Sequence, residues 1–216
     1  VLVGGSPLRL TFKDVADLAD GFALRLLELG LDRDDILVTQ LPNVAEYPAL
    51  YLAALRLGII VSPVPMQYRR HELEQIVDLT GARAMLTVRA LKGVDYAADA
   101  VELGKSRPLK ILCLGTDAPE GSVPFIPAAL TQVSRAALAA HVEALQVSAD
   151  DVATICWTSG TEGMPKGVPR THNHWIAISW AHFEAAKIAP GDALLNPFPM
   201  INMAAIGGCF LSWLHG

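Results

Sequence analysis

The sequence predicts an α/β fold, a mostly parallel sheet with helices on both faces. Helical periodicity alternates with short apolar segments along the first half of the chain, and glycines follow the helical segments. That alternation is typical of parallel strands joined by crossover helices, which cover the sheet on both sides. The chain has 216 residues, of which 52% are hydrophobic, a high fraction for a soluble domain.

Capping residues, apolar spacing and glycine stops define the elements of the first half. The first helix is expected to begin at Thr11, where Asp14 completes a capping box, and to end at Gly30. Gly58 and Gly81 are expected to end two further helices. The next predicted elements, in order, are a strand at 35–41, a helix at 45–57, a strand at 59–61, a helix at 70–80 and strands at 82–88 and 109–114.

Prolines and glycines weaken the pattern in the middle of the chain. They predict a loop-rich connection at about 115–133, followed by an alanine-rich helix at 134–145. A strand at 152–157 and the extended chain after residue 166 form a predicted hairpin. Beyond it we expect a helix at 173–187 with Thr171 or Asn173 as its cap, a strand at 192–195 and an apolar helix at 203–214.

Composition argues against several classes of function. The formal net charge is −5 without a basic cluster, so nucleic-acid binding is not expected. No apolar run approaches the ~20 residues that cross a bilayer. Cys113, Cys156 and Cys209 are odd in number and far apart, which indicates reduced, packed thiols in a cytoplasmic protein. The six histidines form no pair at metal-binding helical spacing, so a metal site built by protein ligands is not expected.

Residues 158–168, Thr-Ser-Gly-Thr-Glu-Gly-Met-Pro-Lys-Gly-Val, carry the strongest functional signal. Glycines let consecutive backbone N–H groups face an anion, and the hydroxyls add donors. Lys166 supplies a mobile positive charge for a polyphosphate. The loop is not a Walker A motif, because Pro165 precedes the lysine and Gly167 replaces the Ser/Thr. It does not fit the dinucleotide fingerprint either. A glycine-rich hairpin turn without a ligand is the alternative.

With this loop the chain resembles the adenylate-forming superfamily, which includes acyl-CoA synthetases, aryl-acid adenylating enzymes, peptide-synthetase adenylation domains and luciferases. The phosphate loop of that superfamily usually reads Thr-Ser-Gly-Thr-Thr-Gly-x-Pro-Lys-Gly-Val, so Glu162 is the one departure from it. The resemblance covers most of the chain, and its other segments are 40–43, 54–58, 68–73, 79–83, 169–173 and 196–200.

The resemblance implies that residues 1–216 are a truncated N-terminal, AMP-binding domain and that the C-terminal domain is absent. It implies a reaction in which a carboxylate attacks the α-phosphate of ATP, and coenzyme A then takes the acyl group. Mg²⁺ is expected to accompany the nucleotide, and Glu162 either faces solvent or contacts that metal. The residues implied in binding the ATP phosphates are Thr158, Ser159, Gly160, Thr161, Glu162, Gly163 and Lys166.

Three residues after the loop are candidates for the acyl pocket: Asn202, Met203 and Gly207. Asn202 lies where many relatives carry His or an aromatic residue, although it is equally well placed as a helix N-cap. Gly207 has helix packing as its alternative role. The resemblance favours an acyl-CoA synthetase for short, medium-length or alicyclic acids. An aryl-acid ligase that loads a carrier protein is the first alternative, suggested by residues 169–173 and Asn202.

A nucleotide-binding module without catalysis is the remaining alternative. The expected small molecules are a carboxylic acid, ATP and coenzyme A, and neither nucleic acid nor a membrane span is expected. The oligomeric state stays open, with a homodimer among the alternatives. In the superfamily, the adenine- and ribose-binding motifs and a C-terminal lysine come later in the chain. We therefore expect no catalysis from residues 1–216 alone.

Overall fold

The computed structural model describes residues 9–158 and 165–212. Within these ranges the chain forms one seven-stranded sheet, six α-helices and one π-helix. The helices are α1 (Phe12–Glu28), α2 (Glu46–Arg56), α3 (Arg70–Thr80), α4 (Tyr96–Gly104), α5 (Gln132–Leu145), α6 (His172–Ala186) and the π-helix Ala204–Phe210. The strands are β1 (Ile36–Gln40), β2 (Ile60–Pro63), β3 (Ala84–Val88), β4 (Lys110–Leu114), β5 (Val123–Phe125), β6 (Val152–Thr158) and β7 (Lys166–Thr171).

The strand order β5-β4-β3-β1-β2-β6-β7 confirms the predicted fold class. All neighbouring strands are parallel except β6 and β7, which form an antiparallel hairpin. The chain passes from β1 to β2 on one side and then crosses to β3 on the other side of β1. The direction of winding therefore changes at β1, and in open α/β sheets such a point is where ligands bind, beyond the carboxyl ends of the strands.

The helices cover both faces of the sheet, as the alternation of side chains along each strand requires. One core cluster joins Leu37 of β1 and Leu86 of β3 to α1 and α2. A second cluster joins the adjacent residues Val38 and Met85 to α3 and α4. Because both faces are buried, the central strands consist almost entirely of buried residues.

Local capping follows the sequence in two places. At the start of α1 the Asp14 amide donates to Thr11 Oγ1 at 3.1 Å, and the Thr11 amide donates to Asp14 Oδ2 at 2.8 Å. Gly81 ends α3 with a φ of 63°, a left-handed conformation that costs a glycine little. The capping box of α1 and the glycine stop of α3 are therefore confirmed.

Two elements were not predicted from the sequence. Helix α4 is capped by Asp95, whose carboxylate accepts the Ala98 amide at 3.0 Å. Strand β5 lies within the predicted loop and pairs with β4, and Phe125 of this strand is fully buried. Pro124 is tolerated because β5 is an edge strand of the described sheet. The pairing of β5 depends on β4 rather than on its own three residues.

Three boundaries near the end of the chain differ from the prediction. No strand forms at 192–195, where Asp192 instead accepts the Ala189 amide at 2.8 Å in a turn. Helix α6 begins one residue early, with Thr171 as its cap. The last helix is the shorter π-helix Ala204–Phe210. Among the described helices, none has the length and apolar character needed to cross a membrane.

Candidate functional site

The predicted phosphate loop lies at the turn of the β6–β7 hairpin. Thr158 and Lys166 form the last cross-strand pair, and the Thr158 hydroxyl donates to the Lys166 carbonyl at 3.5 Å. Both residues are exposed. The hairpin therefore holds the threonine hydroxyl and the lysine side by side at its open end. The other predicted phosphate ligands, Ser159, Gly160, Thr161, Glu162 and Gly163, lie outside the described residues.

Sheet topology places this end of the hairpin beside the point where the winding changes direction. Strand β6 runs parallel to β2, and β2 runs parallel to β1. Thr158 at the end of β6 and Asn43 just after β1 consequently lie at the same edge of the sheet. Thr158 and Lys166, the described residues at the two ends of the predicted loop, thus lie at the edge at which α/β proteins bind ligands.

Trp157 bonds the hairpin to the neighbouring strand β2, and Gly167 packs against β6 within the hairpin. The indole N–H of Trp157 donates to the buried Ser62 hydroxyl of β2 at 2.8 Å. Gly167 pairs with Trp157 across the hairpin, and a Cβ atom there would lie 2.8 Å from Ile155 Cγ2 and 3.1 Å from the Trp157 ring. The glycine that replaces the Walker Ser/Thr therefore packs flat against two side chains of β6. The Trp157 side chain is engaged by Ser62 and by the second core cluster.

His172 lies at the opposite end of β7 from Lys166. Its amide donates to the Asp151 carbonyl at 3.4 Å, at the amino end of β6. Burial lowers the pKa of the His172 imidazole, and the negative charge of Asp151 acts weakly in the other direction. The length of β7 thus separates this histidine from the turn of the hairpin.

The three candidate acyl-pocket residues occupy different environments around the π-helix. Asn202 caps it, since its Oδ1 accepts the Ala205 amide at 2.9 Å. Met203 is 40% exposed, and its sulfur lies 3.5 Å from Nη2 of Arg170 on β7. Gly207 is buried against α6, where an added Cβ would lie 2.6 Å from Ile178 Cγ2. The structure therefore brings Met203 next to the hairpin and turns Gly207 toward a neighbouring helix.

Asn43 and Tyr51 hold the segment that precedes these residues. The Asn43 side chain donates to the Phe198 carbonyl at 2.8 Å and accepts the Met200 amide at 2.9 Å. The Tyr51 hydroxyl of α2 donates to the Met200 carbonyl at 3.1 Å. Neither role is evident from the sequence, where Asn43 is only part of the resembling segment 40–43 and Tyr51 lies within a predicted helix.

Two cavities flank this attachment, and Asn43 lines both. The larger has a volume of about 500 Å³ and is mostly apolar, with Val44, Met200 and Phe210 among its walls. The smaller has a volume of about 190 Å³ and includes Pro199. The segment 196–202 therefore forms a wall between two spaces beside the carboxyl end of β1.

Protonation states around the site are set mainly by burial. Full burial raises the pKa of Tyr51 well above its ordinary value, so its hydroxyl stays a hydrogen-bond donor. Burial raises the pKa of the Cys156 thiol and brings that of Cys113 to about 11. Cys113 is therefore a protonated thiol at neutral pH. Within residues 9–158 and 165–212, no cluster of three or more His, Cys, Asp or Glu side chains is arranged to hold a metal.

Comparison with known proteins assigns the chain to a family. The family model described as AMP-binding enzyme matches residues 1–216. The chain is 33% identical to the 2-hydroxy-7-methoxy-5-methyl-1-naphthoate–CoA ligase of Streptomyces carzinostaticus over 80% of its own length and 31% of that protein. It is 29% identical to the long-chain-fatty-acid–CoA ligase FadD13 of Mycobacterium tuberculosis over 97% of its length and 39% of that protein.

A solved structure supports the fold. The acyl-CoA synthetase of Brucella canis superposes with a TM-score of 0.73 at 23% identity, over 97% of this chain and 37% of that one. The chain thus spans about a third of the length of the relatives it matches. Because the family model extends over every residue, the chain belongs to the family of AMP-binding enzymes.

Proposed function

We propose that the full-length protein activates a carboxylic acid with ATP and transfers the acyl group to coenzyme A. A carboxylate oxygen attacks the α-phosphorus, the bond from that phosphorus to the bridging oxygen breaks, and pyrophosphate leaves. The coenzyme A thiol then attacks the acyl carbon, loses its proton, and displaces AMP as the thioester forms. The observation that carries this proposal is the signature hairpin, whose Thr158 and Lys166 lie together at the ligand-binding edge of the sheet.

The hairpin would act by positioning and by charge stabilisation, which dominate phosphoryl-centre chemistry. Thr158 and the loop residues Ser159, Gly160, Thr161 and Gly163 would donate to the β- and γ-phosphates. Lys166 would offset the negative charge that develops on the departing pyrophosphate. Mg²⁺ would enter with the nucleotide, and Glu162 would face either solvent or that ion.

The acid would bind near Asn202 and Met203, beside the same edge of the sheet. Capping of the π-helix uses only Oδ1 of Asn202, so its Nδ2 remains able to donate to an acid. Gly207 would contribute at most a backbone wall, since its side facing α6 is filled by Ile178. The names of two relatives support coenzyme A as acceptor, one with a naphthoate and one with long-chain fatty acids.

A second candidate is an aryl-acid ligase that loads a carrier protein. The segment 169–173 and Asn202 favour it, and the naphthoate ligase among the relatives fits an aromatic acid. The two candidates differ in acceptor and acid, so one panel separates them. A nucleotide-binding module without catalysis predicts no activity with any acid.

Acid-dependent pyrophosphate exchange by the full-length protein tests these candidates. Aliphatic and aromatic acids are supplied in turn with ATP and Mg²⁺, and AMP release is then followed with and without coenzyme A. We expect exchange with at least one acid and thioester formation with coenzyme A. Exchange confined to hydroxybenzoates without thioester formation would favour the carrier-protein ligase. No exchange with any acid would overturn the proposed function.

A further inference from the structure

Asn43 connects the central strand to the candidate acid-binding segment through two successive hydrogen bonds. Its amide N–H donates to the Phe198 carbonyl at 2.8 Å, and its carbonyl accepts the Met200 amide at 2.9 Å. Tyr51 donates to the Met200 carbonyl at 3.1 Å. We call this set of three hydrogen bonds the Asn43 clamp. The N–H and the oxygen of one side-chain amide both bond the segment, so the clamp fixes the orientation of the segment as well as its distance from β1.

Besides the clamp, the segment is held by the buried side chain of Met200, which is 4% exposed, and by local hydrogen bonds of the Phe198 and Asn202 amides. Residues 188–202 contain neither helix nor strand, and Leu195 and Phe198 are 84% and 45% exposed. Irregular backbone with few buried apolar contacts opens at low free energy unless specific hydrogen bonds restrain it. Asn43, in contrast, lies three residues after the end of β1, which is paired on both sides. The clamp therefore ties a weakly held segment to the most constrained strand of the sheet.

A displacement at Met200 would reach the candidate acid site within two residues. Asn202 accepts the Ala205 amide with its side chain and the Ile206 amide with its backbone carbonyl, so it bonds the first turn of the π-helix. Its position follows from where Met200 is held. Asn43 also lines both cavities that border the segment. The clamp is thus placed to set the shape of the acid site without contacting the phosphate hairpin.

We propose that Asn43, assisted by Tyr51, is a positioning residue that sets the affinity for the carboxylic acid by fixing Met200 and hence Asn202. This inference rests on the proposed function. It predicts different effects on the binding of the two substrates of the adenylation step. Loss of the clamp weakens acid binding, whereas ATP, held by the hairpin on β6 and β7, binds as before.

The test compares three variants of the full-length protein with the wild type. Asn43→Ala removes two hydrogen bonds of the clamp. Tyr51→Phe removes the third, together with the hydrogen bond between the Tyr51 and Tyr47 side chains, while keeping the buried ring. Asn173→Ala is the matched control, because this exposed asparagine bonds Asp150 at 2.8 Å by the opposite edge of the sheet. Hydrogen exchange of the Met200 amide reports the clamp directly. Pyrophosphate exchange gives KM separately for the acid and for ATP.

For Asn43→Ala we expect Met200 exchange about tenfold faster and an acid KM raised about tenfold, the size expected for two lost hydrogen bonds. The KM for ATP should stay within about twofold. Tyr51→Phe should give a smaller change of the same kind, and Asn173→Ala should alter neither quantity.

Three results would overturn the inference. Unchanged Met200 exchange in Asn43→Ala would show that the clamp does not restrain the segment. Faster exchange with an unchanged acid KM, or with acid and ATP KM rising together, would exclude a positioning role for the acid. The two results that use KM values require an active wild-type enzyme. A wild type inactive with every acid would instead overturn the proposed function, and the exchange measurement would still decide whether the clamp exists.

Discussion

Replacement of Gly207 by alanine tests whether this candidate acyl-pocket residue is required for helix packing. An alanine Cβ would lie 2.6 Å from Ile178 Cγ2 and 3.4 Å from Trp175 Cε3, both on α6. Ile178 cannot easily turn its branch away, because β-branched side chains are held near one χ1 rotamer in helices. The adjacent Gly208 is the natural control, since its Cβ would lie 3.5 Å from the nearest atom, in His182, an ordinary contact.

The expected size follows from two opposing effects. Overpacking of this kind costs about 1–3 kcal/mol. Alanine in place of a helical glycine returns about 0.5–1 kcal/mol. Gly207→Ala should therefore destabilise the fold by about 1 kcal/mol, within the span of about 0 to 2.5 kcal/mol that the two ranges allow. A loss of about 1 kcal/mol lowers Tm by about 2–4 °C in a domain of 150–250 residues. Gly208→Ala should leave Tm unchanged or raise it slightly, because only the favourable effect applies.

Thermal unfolding of the full-length variants measures both quantities. The double variant Gly207→Ala/Ile178→Ala removes the clashing methyl group, so it should be more stable than the sum of the single effects by at least about 0.5 kcal/mol. Equal Tm values for Gly207→Ala and Gly208→Ala, together with zero coupling to Ile178, would refute the packing argument. A raised acid KM in a fully stable Gly207→Ala would instead favour the acyl-pocket role.

Three further predictions concern the hairpin, the sheet edge and acid stability. Lys166→Ala should slow pyrophosphate exchange by at least about tenfold, because the positive charge that offsets the phosphates is lost. Its Tm should change by less than about 2 °C, because the exposed lysine buries little surface. An unchanged exchange rate would exclude the charge role. Phe125→Ala should cost about 3–5 kcal/mol in denaturant unfolding, since Phe125 is fully buried and stacks on Phe22 at 5.3 Å, whereas Ile126→Ala at an exposed position should cost far less. Burial lowers the pKa of His172 in the folded state below 6.5. The neutral imidazole therefore contributes fully to the free energy of unfolding above pH 6.5, and this contribution is lost as the pH falls through the pKa of the folded state. His172→Gln should therefore lose less stability than the wild type between pH 7 and pH 5, and parallel pH profiles would contradict this.

Helix capping and the β6–β7 hairpin could be predicted because their causes are local. Thr11 and Asp14 are three residues apart, and the capping box they form needs no partner elsewhere. The hairpin turn was likewise expected from glycines, hydroxyls and one lysine within eleven consecutive residues. The residues expected to bind phosphate other than Thr158 and Lys166 lie outside the described ranges and stay predictions.

Elements stabilised by distant partners escaped prediction. Strand β5 has only three residues and includes Pro124, and it exists because β4 offers a parallel edge. Residues 192–195 looked apolar enough for a strand, but no neighbouring strand in the described sheet pairs with them. For short segments, tertiary pairing outweighs intrinsic preference.

The sequence alone determined the α/β class and most of the helix and strand positions, and the residue types at 158–168 predict a phosphate-binding loop. Tertiary structure decided which strands are neighbours, where the winding reverses, and how Asn43 reaches Phe198 and Met200, 155 and 157 residues away. The physical reason is how far apart in the sequence the interacting residues lie. Backbone turns and caps are fixed by atoms a few residues apart, whereas the shape of a binding site is fixed by hydrogen bonds that form only after the sheet has brought distant segments together.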